Sequence, residues 1–230
     1  AGAMQALGAR LLDASDDDLP PGGAALARLA RIDLAGRDPR LTSCRLRVAS
    51  DVTNTLCGPT GAAIVFGPQK GASPDDVLAL DAALQHFAEI ARRDCGVELL
   101  ALSGGGAAGG LAAGLVALAG ATIEPGFAIA ADAIGLEAKI AAADVVITGE
   151  GRLDAQTAYG KTASGVATLA HKHGKRVAVI AGSVDPGYDP RTAAFDVVES
   201  ALQPGMSVED AMRLGAALVR AAAVRVARRL

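Results

Sequence analysis

The second half of the chain alternates short apolar runs with segments of helical length, and this alternation constrains the fold more than any other feature. Strands are predicted at 145–148, 177–181 and 195–198, with a helix at 164–173 between the first two. Strands joined by helices of this length predict a parallel sheet with right-handed crossovers. A last helix is predicted from Ser207, whose side chain can cap it. The predicted fold class is therefore α/β.

The first half of the chain has a mixed pattern. Residues 4–12 are typical of the end of a helix, 24–34 carry apolar residues at a roughly helical period, and 45–51 alternate like a strand with one exposed face. A helix is predicted over 77–93, where His86 lies off the apolar stripe and is expected at the surface. This half is therefore expected to mix helices and strands.

Composition excludes several classes of function. Of the 230 residues, 51% are hydrophobic and 20% charged, which is typical of a folded globular protein. The formal net charge of -3 gives no electrostatic case for nucleic acid or for an anionic membrane. The three cysteines have no CxxC spacing, which argues against a disulfide framework or a zinc site and favours the reducing cytoplasm.

One uncharged stretch, 99–123, has glycines at the GxxxG spacing of membrane helices. Consecutive glycines make a poor helix, and no basic flank follows. A glycine-rich turn that leads into a buried helix at 111–118 is the better interpretation, and we reject a membrane span.

The first of three candidate ligand loops contains Asp51, Asn54 and Lys70. Asp51 ends a predicted strand and Asn54 follows within one turn, so the pair could hold a hydroxyl or a hydrated metal ion. Lys70 could offer a positive charge to a phosphate. An Asx-type turn, in which Asp51 and Asn54 bond their own backbone, is an equally open alternative.

The second loop is a glycine-rich turn at the start of a predicted helix. Backbone N–H groups at a helix start bind anions. Close helix packing would explain the same glycines without a ligand. The candidate anion-binding residues are Gly104, Gly105, Gly106 and Gly109.

The third loop follows the strand at 145–148, which is predicted to break at Gly149 and Gly151. Polar residues then converge where the glycines allow close backbone approach, at the carboxyl end of a strand, where open α/β sheets bind ligands. These residues are Glu150, Arg152, Asp154, Gln156 and Lys161. Acids, bases and glycine turns are the components of phosphoryl transfer, and a sugar- or acid-phosphate binder would use the same set.

Together the three loops resemble the type I glycerate kinases. The resemblance runs through Asp-Val-Thr-Asn at 51–54, Leu-Cys-Gly at 56–58, Phe-Gly-Pro-Gln-Lys-Gly at 66–71, the glycines of 104–110 and Ile-Thr-Gly-Glu-Gly-Arg-Leu-Asp from residue 147. It implies ATP-dependent phosphorylation of D-glycerate, usually at the 2-hydroxyl, with Mg²⁺. It also implies two domains, a mixed α/β domain at 1–124 inserted into a Rossmann-like parallel-sheet domain at 125–230.

For the site, the resemblance implies that Asp51 and Asp154 are the acids nearest the chemistry. One would orient or deprotonate the glycerate hydroxyl and the other would hold Mg²⁺, in an order that the sequence leaves open. Arg152 and Lys161 would neutralise the phosphate or the glycerate carboxylate, and the glycine turn would hold an anionic group.

The chain also departs from the family pattern, because two N-terminal loops of the family have no counterpart here. Both domains are therefore expected to be partial, with an exposed sheet edge that an N-terminal segment or a homo-oligomer would complete. A second hypothesis follows, in which this chain is a non-catalytic ligand-binding or structural fragment of such a kinase. A redox enzyme is disfavoured, since no GxGxxG follows a strand.

Overall fold

A computed structural model describes residues 1–154, 162–189 and 195–230. The chain divides into two compact units, Ala1–Gly126 and Phe127–Leu230. Each unit has its own cluster of buried apolar side chains. Within the described ranges, no helix has the length and apolar character needed to cross a membrane.

The first unit begins with a short helix and an antiparallel strand pair. Helix α1 spans Gly2–Ala6, β1 spans Arg10–Leu12, and β2 spans Arg31–Asp33, with a 3₁₀ turn at Gly23–Arg28 before β2. The helical interpretation of 4–12 and 24–34 is therefore wrong at their C-terminal parts. Gly8, at φ 88°, ends the helical path after α1, and strands of three residues are too short to show a period of two.

A parallel pair of short strands follows. Strand β3 spans Arg47–Ala49 and pairs with β4, Thr122–Glu124. The predicted strand at 45–51 is confirmed over its centre. Arg47 and Glu124 form an ion pair of 2.7 Å between the two strands. Hydrogen bonds from the Arg47 guanidinium lower the pKa of the Glu124 carboxyl, and Glu124 is the last residue of β4, where it pairs with Ala49.

Three helices lie between β3 and β4: α2 at Ala62–Phe66, α3 at Pro74–Cys95 and α4 at Ala107–Ala119. The predicted helix at 77–93 is confirmed as α3, which begins at a Ser73–Asp76 capping box and ends at the left-handed Gly96. The expectation that His86 lies at the surface is wrong. His86 is half-buried, and its ring nitrogen lies 2.7 Å from the Leu29 carbonyl oxygen.

The second unit contains the predicted strand–helix series. After α5 (Gly126–Ala133) and α6 (Leu136–Ala142) come β5 (Val145–Leu153), α7 (Thr162–Lys172), β6 (Arg176–Val184) and β7 (Val197–Ser200). The three strands form a parallel sheet in the order β5-β6-β7, which confirms the predicted parallel arrangement. Two helices end the chain, α8 at Val208–Arg213 and α9 at Gly215–Ala227.

Several boundaries in this unit differ from the prediction; β7, for example, spans Val197–Ser200 and not 195–198. Strand β5 does not break at Gly149, because Gly149 and Glu150 continue the pairing with β6. The single last helix is in fact two, since Leu214, at φ -97° and ψ 7°, leaves helical geometry between α8 and α9. The predicted cap of the first is confirmed by the Ser207 hydroxyl, which accepts from the Asp210 amide at 3.1 Å.

The core of the second unit is built from valine and alanine. Val177, Val179 and Ala181 of β6 are fully buried together with the alanines of α7. Among the described strands β5 is an edge strand, and its Val145 and Ile147 side chains are 41% and 52% exposed. This is the exposed apolar sheet edge that the sequence led us to expect.

Candidate functional site

Asp51 lies at the carboxyl end of the parallel β3–β4 pair. The Ser50 amide donates to the Glu124 carbonyl at 3.0 Å, which extends the pairing by one residue. The Asp51 carboxylate then accepts, through Oδ1, a 2.9 Å hydrogen bond from the amide of Gly126 at the start of α5. This bond joins residues 75 positions apart, so the contact that fixes Asp51 is long-range and not the local Asx turn.

The second carboxylate oxygen of Asp51 is open. Within the described ranges Oδ2 accepts no hydrogen bond, and the residue is exposed. One oxygen is thus held by the fold while the other can accept a hydroxyl proton or contact a cation. No group of three or more His, Cys, Asp or Glu side chains that could hold a metal ion occurs in the part of the chain that the structure describes.

The loop after Asp51 is closed by its own side chains. The Asn54 amide donates to the Thr60 carbonyl at 2.9 Å, and the Thr55 hydroxyl donates to the Cys57 carbonyl at 3.0 Å. Asn54 therefore shapes the loop in this conformation. Burial raises the pKa of the Cys57 thiol, which disfavours the thiolate.

The glycine-rich turn packs directly on the Asp51 loop. The Gly106 amide donates to the Asn54 carbonyl at 3.0 Å, and a Cβ at Gly106 would lie 2.2 Å from the Thr55 carbonyl oxygen. Gly104, at φ 76°, would place a Cβ 3.1 Å from the Val52 carbonyl oxygen. The structure thus brings the first two predicted loops together, and their contact requires glycine at position 106.

Most N–H groups of this turn already donate to protein carbonyls. The amides of Gly105, Ala107, Gly109 and Gly110 bond to carbonyls at 102, 104 and 106. Backbone in the left-handed region at Ala108–Gly110 precedes the regular part of α4. This geometry favours the packing explanation of the glycines, and anion binding by the turn stays a prediction.

Lys70 lines a separate apolar pocket of the first unit, of about 460 Å³. It ends a 3₁₀ turn at Pro68–Lys70, and Gly109 of the glycine turn contributes to the same wall. The acid in this lining, Asp76, is engaged by the Ser73 hydroxyl at 2.6 Å. The pocket therefore offers an ammonium group to an anionic ligand, whereas Asp51 and Asn54 lie outside its lining.

In the second unit, Glu150, Gly151 and Arg152 are part of β5, and Asp154 follows it directly. Arg152 pairs with Asp185, at the end of β6, across 2.6 Å. This hydrogen bond raises the pKa of the Arg152 guanidinium, with a smaller contribution from the charge of Asp154, and it lowers the pKa of the Asp185 carboxyl. The carboxyl end of the sheet therefore carries a cluster of acids around one arginine.

The remaining predicted residues, Gln156 and Lys161, lie outside the described residues. Sequence reasoning missed Asp185, although the rule that found Asp154, an acid just after a buried strand, applies equally to the end of β6. It also missed the amide of Gly126, for which the sequence gives no signal, because only the pairing of β3 with β4 brings that amide to Asp51.

Fold and site together define an α/β protein with acidic and basic side chains at the carboxyl ends of two sets of parallel strands. The model of the glycerate kinase family matches residues 1–230. The chain belongs to the glycerate kinase family.

Individual relatives agree with this assignment. The chain is 50% identical to the glycerate kinase of Haemophilus influenzae over 82% of its own length and 50% of that protein. It is 47% identical to the glycerate 2-kinase of Escherichia coli K12 over 80% of its length and 48% of that protein.

A crystal structure reported under the name glycerate kinase 2, from Salmonella typhimurium LT2, superposes with a TM-score of 0.81. It is 47% identical and aligns with 99% of this chain and 58% of its own. The chain spans about half the length of the curated relatives it matches.

Proposed function

We propose that the protein phosphorylates D-glycerate at the 2-hydroxyl, with ATP as the phosphoryl donor. The observation that carries the proposal is the family match along residues 1–230. The name of the Escherichia coli relative, glycerate 2-kinase, supports the 2-position over the 3-position.

The chemistry of phosphoryl transfer suits the side chains present. The reaction needs an oriented hydroxyl and neutralised phosphate charge more than covalent catalysis. The open Oδ2 of Asp51 can accept the hydroxyl proton while Oδ1 stays fixed to the Gly126 amide. Arg152, which has five N–H donors, can bind the glycerate carboxylate or a phosphate without releasing Asp185. Lys70, Gln156 and Lys161 are proposed to hold further oxygens of the two substrates.

Asp51 or Asp154 could hold the Mg²⁺ that accompanies ATP, while the other acts on the glycerate hydroxyl. Magnesium sites in such enzymes use one or two carboxylates, with the remaining positions taken by phosphate oxygens and water. A single carboxylate can therefore suffice, and a larger cluster of protein ligands is not required. When bound, Mg²⁺ would supply charge neutralisation for the transferred phosphoryl group.

The proposal also covers the compartment of the protein and the completion of its sheet. Cys44, Cys57 and Cys95 are all free thiols, which supports a reducing compartment such as the cytoplasm. The exposed Val145 and Ile147 on edge strand β5 support completion of the sheet by further protein, either another segment or a second copy.

Phosphorus NMR of the reaction tests both the activity and its position. Purified protein with MgATP and D-glycerate should give a phosphomonoester doublet, because phosphorus on the 2-oxygen couples to one proton. A triplet would indicate the 3-phosphate, whose phosphorus couples to two protons. Absence of any phosphoglycerate signal, with D-glycerate binding retained in calorimetry, would contradict the proposal and favour the non-catalytic hypothesis.

A further inference from the structure

A pocket of about 220 Å³ lies at the carboxyl end of the sheet in the second unit. Its lining comes from all three strands or the residues that follow them, and from helices α8 and α9. Ligands of open α/β sheets bind at this end of the strands. None of the residues singled out from the sequence for the reaction lies in the lining, apart from Gly151.

The floor of this pocket is bare backbone. Gly151 of β5 and Gly182 of β6 lie side by side, and a Cβ at Gly182 would approach the Gly151 carbonyl oxygen to 2.5 Å. A Cβ at Gly151 would meet no described atom within 4 Å. The two strands are therefore too close for a side chain at 182, while the space above Gly151 is open.

The walls are aliphatic and exposed. Met212 and Val208 of α8 are 80% and 67% exposed, and Val219 of α9 is 48% exposed. Exposed large apolar side chains grouped around a concave site are typical of ligand-binding surfaces. Ser183, next to the glycine floor, also contributes to the lining.

The shape and size select one kind of ligand group. A slot between bare backbone and aliphatic side chains suits a flat ring with apolar faces and polar edges. Whole drug-sized ligands occupy pockets of roughly 300–1,000 Å³, so this one is suited to part of a larger ligand. Arg152 and Asp154 lie on the same strand end as Gly151, where phosphates attached to such a ring could extend.

We propose that this pocket holds the purine base of the nucleotide. The base would lie on the Gly151–Gly182 floor with its other face against Met212 and Val219, and its edge within reach of Ser183. The proposal rests on the proposed use of ATP, and it adds where the base binds and which residues set nucleotide preference.

Two variants and one control test the proposal. Ala211→Phe, in the lining, should fill the slot, and Met212→Ser should remove one wall at an exposed position that leaves folding intact. Ala221→Phe places the same ring at an exposed position of α9 outside the lining. We expect both pocket variants to raise the KM for MgATP by about tenfold, equivalent to the loss of a modest set of contacts. The KM for D-glycerate should not change, and Ala221→Phe should behave as wild type.

Adenosine binding, followed by saturation-transfer NMR, gives a readout independent of turnover. Adenosine should bind the wild type and be lost in Ala211→Phe. If both pocket variants keep the wild-type KM for MgATP and still bind adenosine, the pocket is not the base site, whatever the reaction. If adenosine binding depends on Ala211 while no phosphoglycerate forms, the proposed kinase reaction fails and the base site stands. Loss of a protein–protein contact in the variants, without an effect on nucleotide, would overturn the proposal in favour of a docking surface.

Discussion

Gly106 of the first unit and Gly151 of the second unit have opposite surroundings. At Gly106 in the first unit, a Cβ would lie 2.2 Å from a backbone carbonyl oxygen, because the glycine turn packs against the Asp51 loop. At Gly151 in the second unit, a Cβ would meet no described atom within 4 Å, and the residue is part of a regular strand. Gly106 lets a neighbouring backbone segment pack closely, whereas Gly151 leaves open space that a ligand can fill.

The acids of the two units differ in the same way. Asp51 is held by a long-range bond to the Gly126 amide, with one oxygen left open. The end of β5 next to Asp154 instead carries several charged side chains, and Arg152 there forms an ion pair with Asp185. Asp51 in the first loop is thus fixed by a contact distant in sequence, whereas the second loop is a charged strand end beside open space.

The largest expected effect concerns Asp154. Asp154→Asn should leave folding nearly unchanged and lower kcat by about 10²–10³-fold, since a charge at a reacting centre contributes on this scale. Steady-state kinetics with D-glycerate and MgATP, together with the melting midpoint, measure the two quantities. Near-normal turnover would remove Asp154 from the candidate site.

Gly106→Ala should break the contact between the glycine turn and the Asp51 loop. The added Cβ cannot be accommodated beside the Thr55 carbonyl oxygen without a backbone shift, so we expect a loss of about 1–3 kcal/mol in the free energy of unfolding, with reduced activity. Urea denaturation checks the stability. Gly114→Ala is the matched control, because its Cβ meets no described atom within 4 Å and it lies inside α4.

The sheet of the second unit should show a pH dependence at Asp196. Its carboxylate accepts from the Val177 amide at 2.7 Å, and this bond, with a smaller contribution from His171, lowers the pKa of the carboxyl. The ionised Asp196 carboxylate therefore stabilises the fold at pH values above its ordinary pKa of 3.8. This stabilisation is lost as the pH falls through the lowered pKa of the folded state. Urea midpoints from pH 6 to pH 3 should show wild type and Asp196→Asn converging at low pH. A constant difference would contradict this assignment.

The smallest effect on stability is expected at Gly151. Gly151→Ala should change the free energy of unfolding by no more than about 0.5 kcal/mol, because the φ is not in the left-handed region and the space is open. Nucleotide affinity should fall, since the new methyl group enters the proposed base slot. Unchanged affinity for MgATP in calorimetry would mean that the open space above β5 is not used by the nucleotide.

How far the sequence predicts this molecule follows from the range of the interactions involved. The α3 helix and the three parallel strands of the second unit were predictable because apolar period and capping residues such as Ser73 are local signals. The three-residue strands β1 and β2 were not, since they exist only through pairing with each other. The continuation of β5 through Gly149 likewise depends on its neighbour β6.

The features of the candidate site also differ in whether they depend on local or on long-range interactions. Asp51, Asp154 and Arg152 could be found from their positions after strand-like runs, and from the family resemblance. The hydrogen bond from Gly126 to Asp51 and the pair of Arg152 with Asp185 could not, because each joins segments brought together only by the sheet. The aliphatic slot over Gly151 and Gly182 depends on the break between α8 and α9, which the sequence did not indicate.

The most direct test of the account is the kcat of Asp51→Asn beside its thermal stability. The carboxamide oxygen of asparagine can still accept the Gly126 amide, so the melting midpoint should equal that of the wild type. The open carboxylate oxygen is replaced by a group that cannot take a proton, so kcat for D-glycerate should fall by about 10²–10³-fold. A wild-type kcat at a wild-type melting midpoint would contradict the account, because Asp51 would then be an anchor of the fold and not part of the reacting centre.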